Sequence, residues 1–231
     1  MKTRQEIKAL ARDAMRAQRG TAILLVFVLM LVSVASGILD MIVMNAFGMG
    51  VLYYIVYWVG MAIIMVMGVN ALGEYIKIWQ RQDASTSALF SELKVNFWRK
   101  LGGVMWQMLW TILWSLLLIV PGIIKSMSYY FTPNILVDCP DVKATDAIKI
   151  SMRITEGHKM DVFIFILSWI GWFILSLFTF GILLIVYVGP YFYTADAGFY
   201  IELRNKALRE GRITPEELGK TAAELGLSSS Y

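Results

Sequence analysis

Hydrophobic residues in this chain come in long runs. Short polar segments separate them, and there the hydrophobic residues recur at helical spacing. Six runs read as membrane spans, at about 21–43, 51–72, 101–120, 122–137, 162–177 and 182–200. A bilayer core of about 30 Å takes about 20 helical residues. The decisive stretch is Leu101 to Val137. As one helix its 37 residues would reach about 55 Å, far more than one crossing. Pro121-Gly122 is a turn signal near its middle, so the pattern predicts two antiparallel helices meeting there. Short turns are also expected at Met44–Gly50 and Phe178–Gly181.

The polar segments carry amphipathic helices. Thr3 and Glu6 have capping-box spacing. Ile7, Leu10, Ala11 and Ala14 then share a face, with Arg4, Lys8, Arg12 and Arg19 elsewhere. That pattern predicts a helix lying on the anionic inner leaflet, or a plain helical leader into the first span. Leu89, Phe90, Leu93 and Phe97 fall at helical spacing. So do Ala144, Ala147, Ile148, Ser151 and Ile154, with Gly157 as a stop signal. Three times an amphipathic helix precedes a pair of spans. This reads as a threefold duplication of about 75 residues, or as membrane hairpins whose basic flanks look alike. In the tail, Thr214-Pro215-Glu216-Glu217 predicts a helix start with Thr as cap, Pro first and Glu third. Ser228 to Tyr231 is expected to fray.

Charge sets the orientation, because Lys and Arg concentrate on the cytoplasmic side. With six spans, segments 1–20, 73–100, 138–161 and 203–231 share one side and hold 20 of the 21 basic residues. Only Lys125 then lies outside. With five spans, nine basic residues would face outward. The expected architecture is therefore an all-α membrane protein. It has six transmembrane helices as three hairpins, with short cytoplasmic amphipathic helices. A leader covers 1–20, the membrane domain 21–203 and a cytoplasmic tail 204–231. Composition agrees: 58% of residues are hydrophobic and 16% charged, against about 25% charged in soluble domains. The net charge of +4 then belongs to basic cytoplasmic segments, and no nucleic acid partner is expected. The first twenty residues are charged throughout, so the first span is expected to be a retained anchor.

The fourth run has only 16 residues and contains Lys125, Ser126, Ser128, Thr132, Pro133 and Asn134. Lipid cannot satisfy those groups, so this helix must face the bundle interior. The sixth run offers Tyr191, Thr194 and Asp196 and is interrupted by Pro190. Asn134, Tyr191, Thr194 and Asp196 are thus the candidate polar interior. Asp196 reads either as a cation or headgroup site or as a structural carboxylate paired with a base such as Lys159. His158 and Lys159, at a membrane entry, are candidate headgroup contacts or ordinary interfacial residues. Asp40 is expected to snorkel to the outer interface, and Lys125 to anchor there or to attract an anion. Trp106, Trp110 and Trp114 form a stripe for packing or lipid contact rather than a cofactor box. The single Cys139 excludes an internal disulfide, and its two flanking aspartates raise a thiol pKa rather than activate it. One histidine excludes a multi-His metal site. There is no P-loop, no HExxH and no GxSxG. No catalytic residue, cofactor or metal is expected.

From Asp138 onward the chain reads Asp138-Cys139-Pro140-Asp141, Ala147-Ile148, Ser151-Met152, Gly157-His158-Lys159 and Ser168-Trp169-Ile170-Gly171-Trp172. Thr179-Phe180-Gly181-Ile182, Pro190-Tyr191, Thr194 and Phe199-Tyr200 follow. This wording resembles the bacterial integral-membrane family DUF975, most closely over about 119–203, as does the start at Thr3-Arg4 with Glu6 and Lys8. The resemblance implies a bacterial plasma-membrane protein and carries over no catalytic residues. The expected function is non-enzymatic: lipid-interacting, or accessory to envelope assembly. Its expected partners are membrane lipids and a second copy or another membrane protein. The alternative is a small oligomeric transporter or channel with a polar interior around Asp196.

Overall fold

Long apolar runs in a bilayer must satisfy their backbone groups internally, which favours helices. The computed structural model of the protein is helical throughout the described residues, 2–221 and 224–225, which contain no strand. The frayed end expected at Ser228–Tyr231 lies outside them. Helix α1 spans Arg4–Ala17 and opens with the expected capping box. The Glu6 amide donates to Thr3 Oγ1 at 3.3 Å, and the Thr3 amide to Glu6 Oε2 at 2.6 Å. Helices α2 (Arg19–Phe47) and α3 (Val51–Trp79) have 29 residues each and pack against each other. Each is about 44 Å long. Helix α3 therefore runs well past the expected end near Leu72, since nothing from Gly73 to Trp79 breaks it. Among the described residues, three helical stretches are long and apolar enough to cross a membrane: α2, α3 and residues Lys159–Phe178.

The central stretch reverses direction elsewhere than expected. Helix α5 (Phe97–Leu117) and α6 (Ile119–Tyr129) meet at Leu118, whose backbone is extended at φ −160° and ψ 138°. Pro121 is the third residue of α6, in the first turn, where a missing N–H leaves no helical bond unmade. Pro121-Gly122 therefore starts the helix rather than making the turn. Gly122 serves close approach instead, since a Cβ there would lie 2.7 Å from the Cα of Ser115.

Three other expected elements are also broken. The fourth run continues into α7 (Thr132–Asp138) after a kink at Tyr130-Phe131. Pro133 cannot bond the carbonyl of Tyr129, which instead accepts from the Thr132 hydroxyl at 2.7 Å. The Ser128 carbonyl accepts from Ser151 at 2.9 Å and Thr155 at 3.3 Å, both on or just after α8 (Ala144–Ile154). The fifth run divides into α9 (Lys159–Leu167) and α10 (Ile170–Phe178). The expected helix around Leu89 to Phe97 is only the short α4 (Ala88–Ser91), because Asn96 takes a left-handed φ of 55° before α5 begins.

The turn before the last run is tight, with Phe180 at φ 50° and Gly181 at φ 80°. The sixth run opens with a π-helical stretch, Leu184–Val188, in which the Gly189 amide donates to the Leu184 carbonyl. This absorbs Pro190 at the start of α11 (Gly189–Arg209). Beyond α11, Thr214 and Glu217 cap each other as expected. Among the described residues only one 3-10 turn follows, Glu216–Leu218, ended by Gly219 at φ 65°.

Burial divides the molecule. The outward ends of α2, α3, α5, α6 and α10 expose apolar side chains, among them Leu116, Leu117, Phe178 and Phe180. The core gathers at the other end, around α11 and the polar segments. Helix α1 joins that core. Ile7, Ala11, Ala14 and Met15 are buried, and α1 packs on α11 and α3. Its apolar face is thus covered by protein and not spread on a leaflet, although Leu10 remains exposed. Lys8 reaches the end of α9, donating to Ser168 Oγ at 2.7 Å and lying 4.4 Å from the Trp169 ring. Trp169 is fully buried.

Helix α11 meets α3 at Gly198, where an added Cβ would overlap the Trp79 ring. A ring cannot yield as a flexible side chain can. Gly198→Ala is expected to lower stability by about 1–3 kcal/mol, read as a drop in the thermal midpoint of detergent-purified protein. An unchanged midpoint would show that this contact gives way freely.

Candidate functional site

Residues four apart share a helix face. On α11, Asp196, Tyr200 and Arg204 form one such row. Tyr130, Asn134 and Asp138 form another across the kink and along α7. The rows face each other. Tyr130 donates its hydroxyl to Asp196 Oδ1 at 2.9 Å, and Asn134 Nδ2 donates to Asp196 Oδ2 at 3.3 Å. One turn further, Asp138 Oδ2 accepts from the Tyr200 hydroxyl at 2.8 Å and from Arg204 at 2.5 Å. Lys220, from the tail, donates to Asp138 Oδ1 at 2.5 Å. Phe131 lies beside this seam with its ring 6.0 Å from Phe199 and 5.6 Å from Tyr200.

Asp196 is buried. Among the described residues no basic side chain pairs with it, Lys159 included; its partners are Tyr130 and Asn134. Of the four residues expected to form a polar interior, the structure joins only Asn134 and Asp196. Thr194 turns its hydroxyl back to the Pro190 carbonyl at 2.7 Å. Tyr191 faces another way, with its ring 4.8 Å from Trp169 and Arg12 lying over it at 5.5 Å. The reason is helical geometry: positions 191, 194 and 196 point to different faces. Sequence reading missed Tyr130, Asp138, Tyr200, Arg204 and Lys220. The four-residue spacing was the available signal for all but Lys220.

Asp138 is the charged hub. Burial pushes its carboxyl up, but Arg204 and Lys220 together outweigh that and hold it below the usual carboxylate range. Burial lowers Arg204, and Asp138 more than restores it. Cys139 is pushed up to about 12, first by burial and then by the Asp138 charge. At neutral pH it is a protonated thiol and a poor nucleophile. Beside the hub lies a polar cavity of about 330 Å³, lined by Glu74, Lys77, Gln82, Glu92, Asp138 and Lys220. Arg99 sits at the C-terminal end of α7, donating to the Leu136 carbonyl and, at 2.7 Å, to that of Val142. A cation there complements the helix dipole.

The two candidate headgroup residues differ. His158 has both ring nitrogens engaged: Nδ1 with Asp161 at 2.8 Å and Nε2 with Lys206 at 2.7 Å. An ammonium can only donate, so Nε2 accepts and Nδ1 carries the proton. Neither nitrogen is left for a headgroup. Lys159 instead lines a small apolar groove between α6 and α9. Lys125 lies 4.9 Å from the Trp114 ring, and Trp106, Trp110 and Trp114 line an outward groove with Tyr129 and α8. One Asp40 carboxylate oxygen is buried without a protein partner.

Residues 99–207 match the DUF975 family. Its model is described as "Protein of unknown function (DUF975)", in keeping with the resemblance read from the sequence. The matched region contains both rows of the seam and Arg99, while α1 and Lys220 contact it from outside. No curated protein and no solved structure matches the chain.

Asp138→Asn leaves Arg204 buried without its carboxylate, a loss expected to cost about 3–5 kcal/mol. Adding Arg204→Met should recover part of it. The folded pKa of Asp138 is depressed, so its contribution is present above the unfolded value, about 3.9. It is lost as pH falls through the folded value. Wild-type stability should therefore fall below about pH 4, and the Asn variant should show a flatter acid limb. Denaturation midpoints measured across pH check this; equal slopes would remove the hub from the account.

Proposed function

We propose that this chain is a multi-pass bacterial plasma-membrane protein of six spans arranged as three hairpins, with both termini in the cytoplasm. In this reading it is not an enzyme. It works on or beside membrane lipids, as a lipid-interacting or accessory component of envelope assembly. One observation carries the reading: exposed apolar surface is concentrated on the outward ends of the helices, while charged pairs gather at the opposite end around Asp138. Of the 21 basic residues, only Lys125 falls on the expected outer side. The outward groove between α2 and α3, about 460 Å³, is lined almost wholly by apolar residues such as Val32, Leu39, Ile55 and Ile63. Such surfaces suit acyl chains better than solutes.

Topology is tested with reporters. A fluorescent protein fused after Tyr231 should be bright, and alkaline phosphatase inserted at Gly50 or Thr179 should be active. Phosphatase active after Tyr231 would remove the six-span reading.

A second reading, a small oligomeric transporter or channel, draws on Asp196. A buried carboxylate without a cationic partner is a candidate binding group for a proton or cation. Purified protein in liposomes separates the two readings. Lipid-directed function predicts copurified lipid and no solute flux. Asp196→Asn is nearly isosteric and can still accept from Tyr130, so it should cost under about 2 kcal/mol and leave lipid retention unchanged. Flux by the wild type that disappears in Asp196→Asn, with the fold intact, would replace the first reading by the second.

A further inference from the structure

The groove between α6 and α9 is lined by Ile123, Ile124, Met127, Met160 and Phe163, with Lys159 as its polar residue. Its volume is about 170 Å³, below the 300–1,000 Å³ or so of a small-molecule site. It suits a length of hydrocarbon chain rather than a whole ligand. Ile123, Ile124, Met160 and Phe163 are all exposed, so the groove opens sideways from the molecule. Lys159 is half-buried at the first residue of α9.

Several bases of α8 and α11 are already engaged. Lys206 meets His158 and Glu210, Arg153 meets Glu217, and Lys149 meets Asp146. Asp161, the nearest acid along the helix, is taken by His158. Among the described residues, no carboxylate comes within ion-pair distance of Lys159. An ammonium over an apolar groove, with no acid of its own, complements a phosphate carrying an acyl chain.

We propose that this groove is a site for one anionic phospholipid, its phosphate on Lys159 and its chain along Ile124 and Phe163. The proposal rests on the lipid-directed reading above and on the topology that places Lys159 at the inner leaflet. His158 takes no part in holding the lipid; it is a strut that ties the α9 entry to α11.

The test uses the full chain in nanodiscs of equal parts dioleoyl phosphatidylglycerol and dioleoyl phosphatidylcholine. Native mass spectrometry counts the lipids that stay bound on release. Wild type should keep one phosphatidylglycerol in preference to phosphatidylcholine. Lys159→Gln should lower that retention about fivefold, the worth of one charge at an anionic surface, and Lys159→Arg should preserve it. Ile124→Trp, at a lipid-facing position, should fill the groove and abolish retention while leaving Lys159 in place. Lys149→Gln, a lysine with its own carboxylate, should change nothing. If wild type keeps phosphatidylglycerol and Lys159→Gln keeps as much, the groove is not the site, though the lipid-directed reading stands. A wild type that keeps no lipid would overturn both. Equal losses in Lys149→Gln and Lys159→Gln would replace a site by general surface charge.

Discussion

A buried charge must be paired, and the pairing of Asp138 dictates much of this fold. Its carboxylate takes Arg204 and Tyr200 from α11 and Lys220 from the tail. Two segments distant in sequence, α11 and the tail, are thereby held to the end of α7. The cost of desolvating these ions is offset only while all partners are present. The same helix end is held from the other side by Arg99, whose guanidinium takes up carbonyls at the α7 terminus. Helix α7 is short and follows a kink, so it depends on these ties more than a long span would.

The kinks follow a similar logic. Each proline in the apolar runs removes a donor, and a carbonyl must then find another partner. Around Pro133 the partners are hydroxyls from Thr132, Ser151 and Thr155. At Pro190 the backbone loosens into a π-helical stretch. Pro121 needs neither device, because it stands in a first turn. Polar residues in the fourth run thus act mainly as backbone partners and seam contacts. Asp196 is the exception, a buried carboxylate held, among the described residues, by neutral donors.

The amphipathic helices have the same physical character as surface-seeking helices, but their apolar faces are already occupied. Helix α1 covers α11 and α3, and α8 covers α5, α6 and α7. Membrane contact is left to the exposed sides of the long helices and to the grooves between them. Lys159, beside one of those grooves, is therefore more informative than the more numerous charges of the leader.

How much of this was legible in the sequence follows from the range of each interaction. Helix content, the capping boxes at Thr3 and Thr214, the stop at Gly157 and the apolar runs rest on neighbours within a few residues, and the chain alone declares them. So does the raised pKa of Cys139, at least in sign. Even the meeting of Asn134 with Asp196 could be expected, from two short polar interruptions at similar depth. The turn at Leu118, the splitting of the fourth and fifth runs and the short α4 could not. Pro121 is compatible with a turn or with a helix start, and only packing against Ser115 decides between them. The seam itself needed the tertiary structure. A four-residue spacing marks a face, but which face meets which depends on how helices rotate as they pack. That rotation brought Tyr130, Tyr200 and Arg204 into place; Tyr191 and Thr194 were already on other faces of α11 than Asp196, by helical geometry alone. Lys220 was the least legible, because its partner lies 82 residues away and no local pattern records so distant a charge pair.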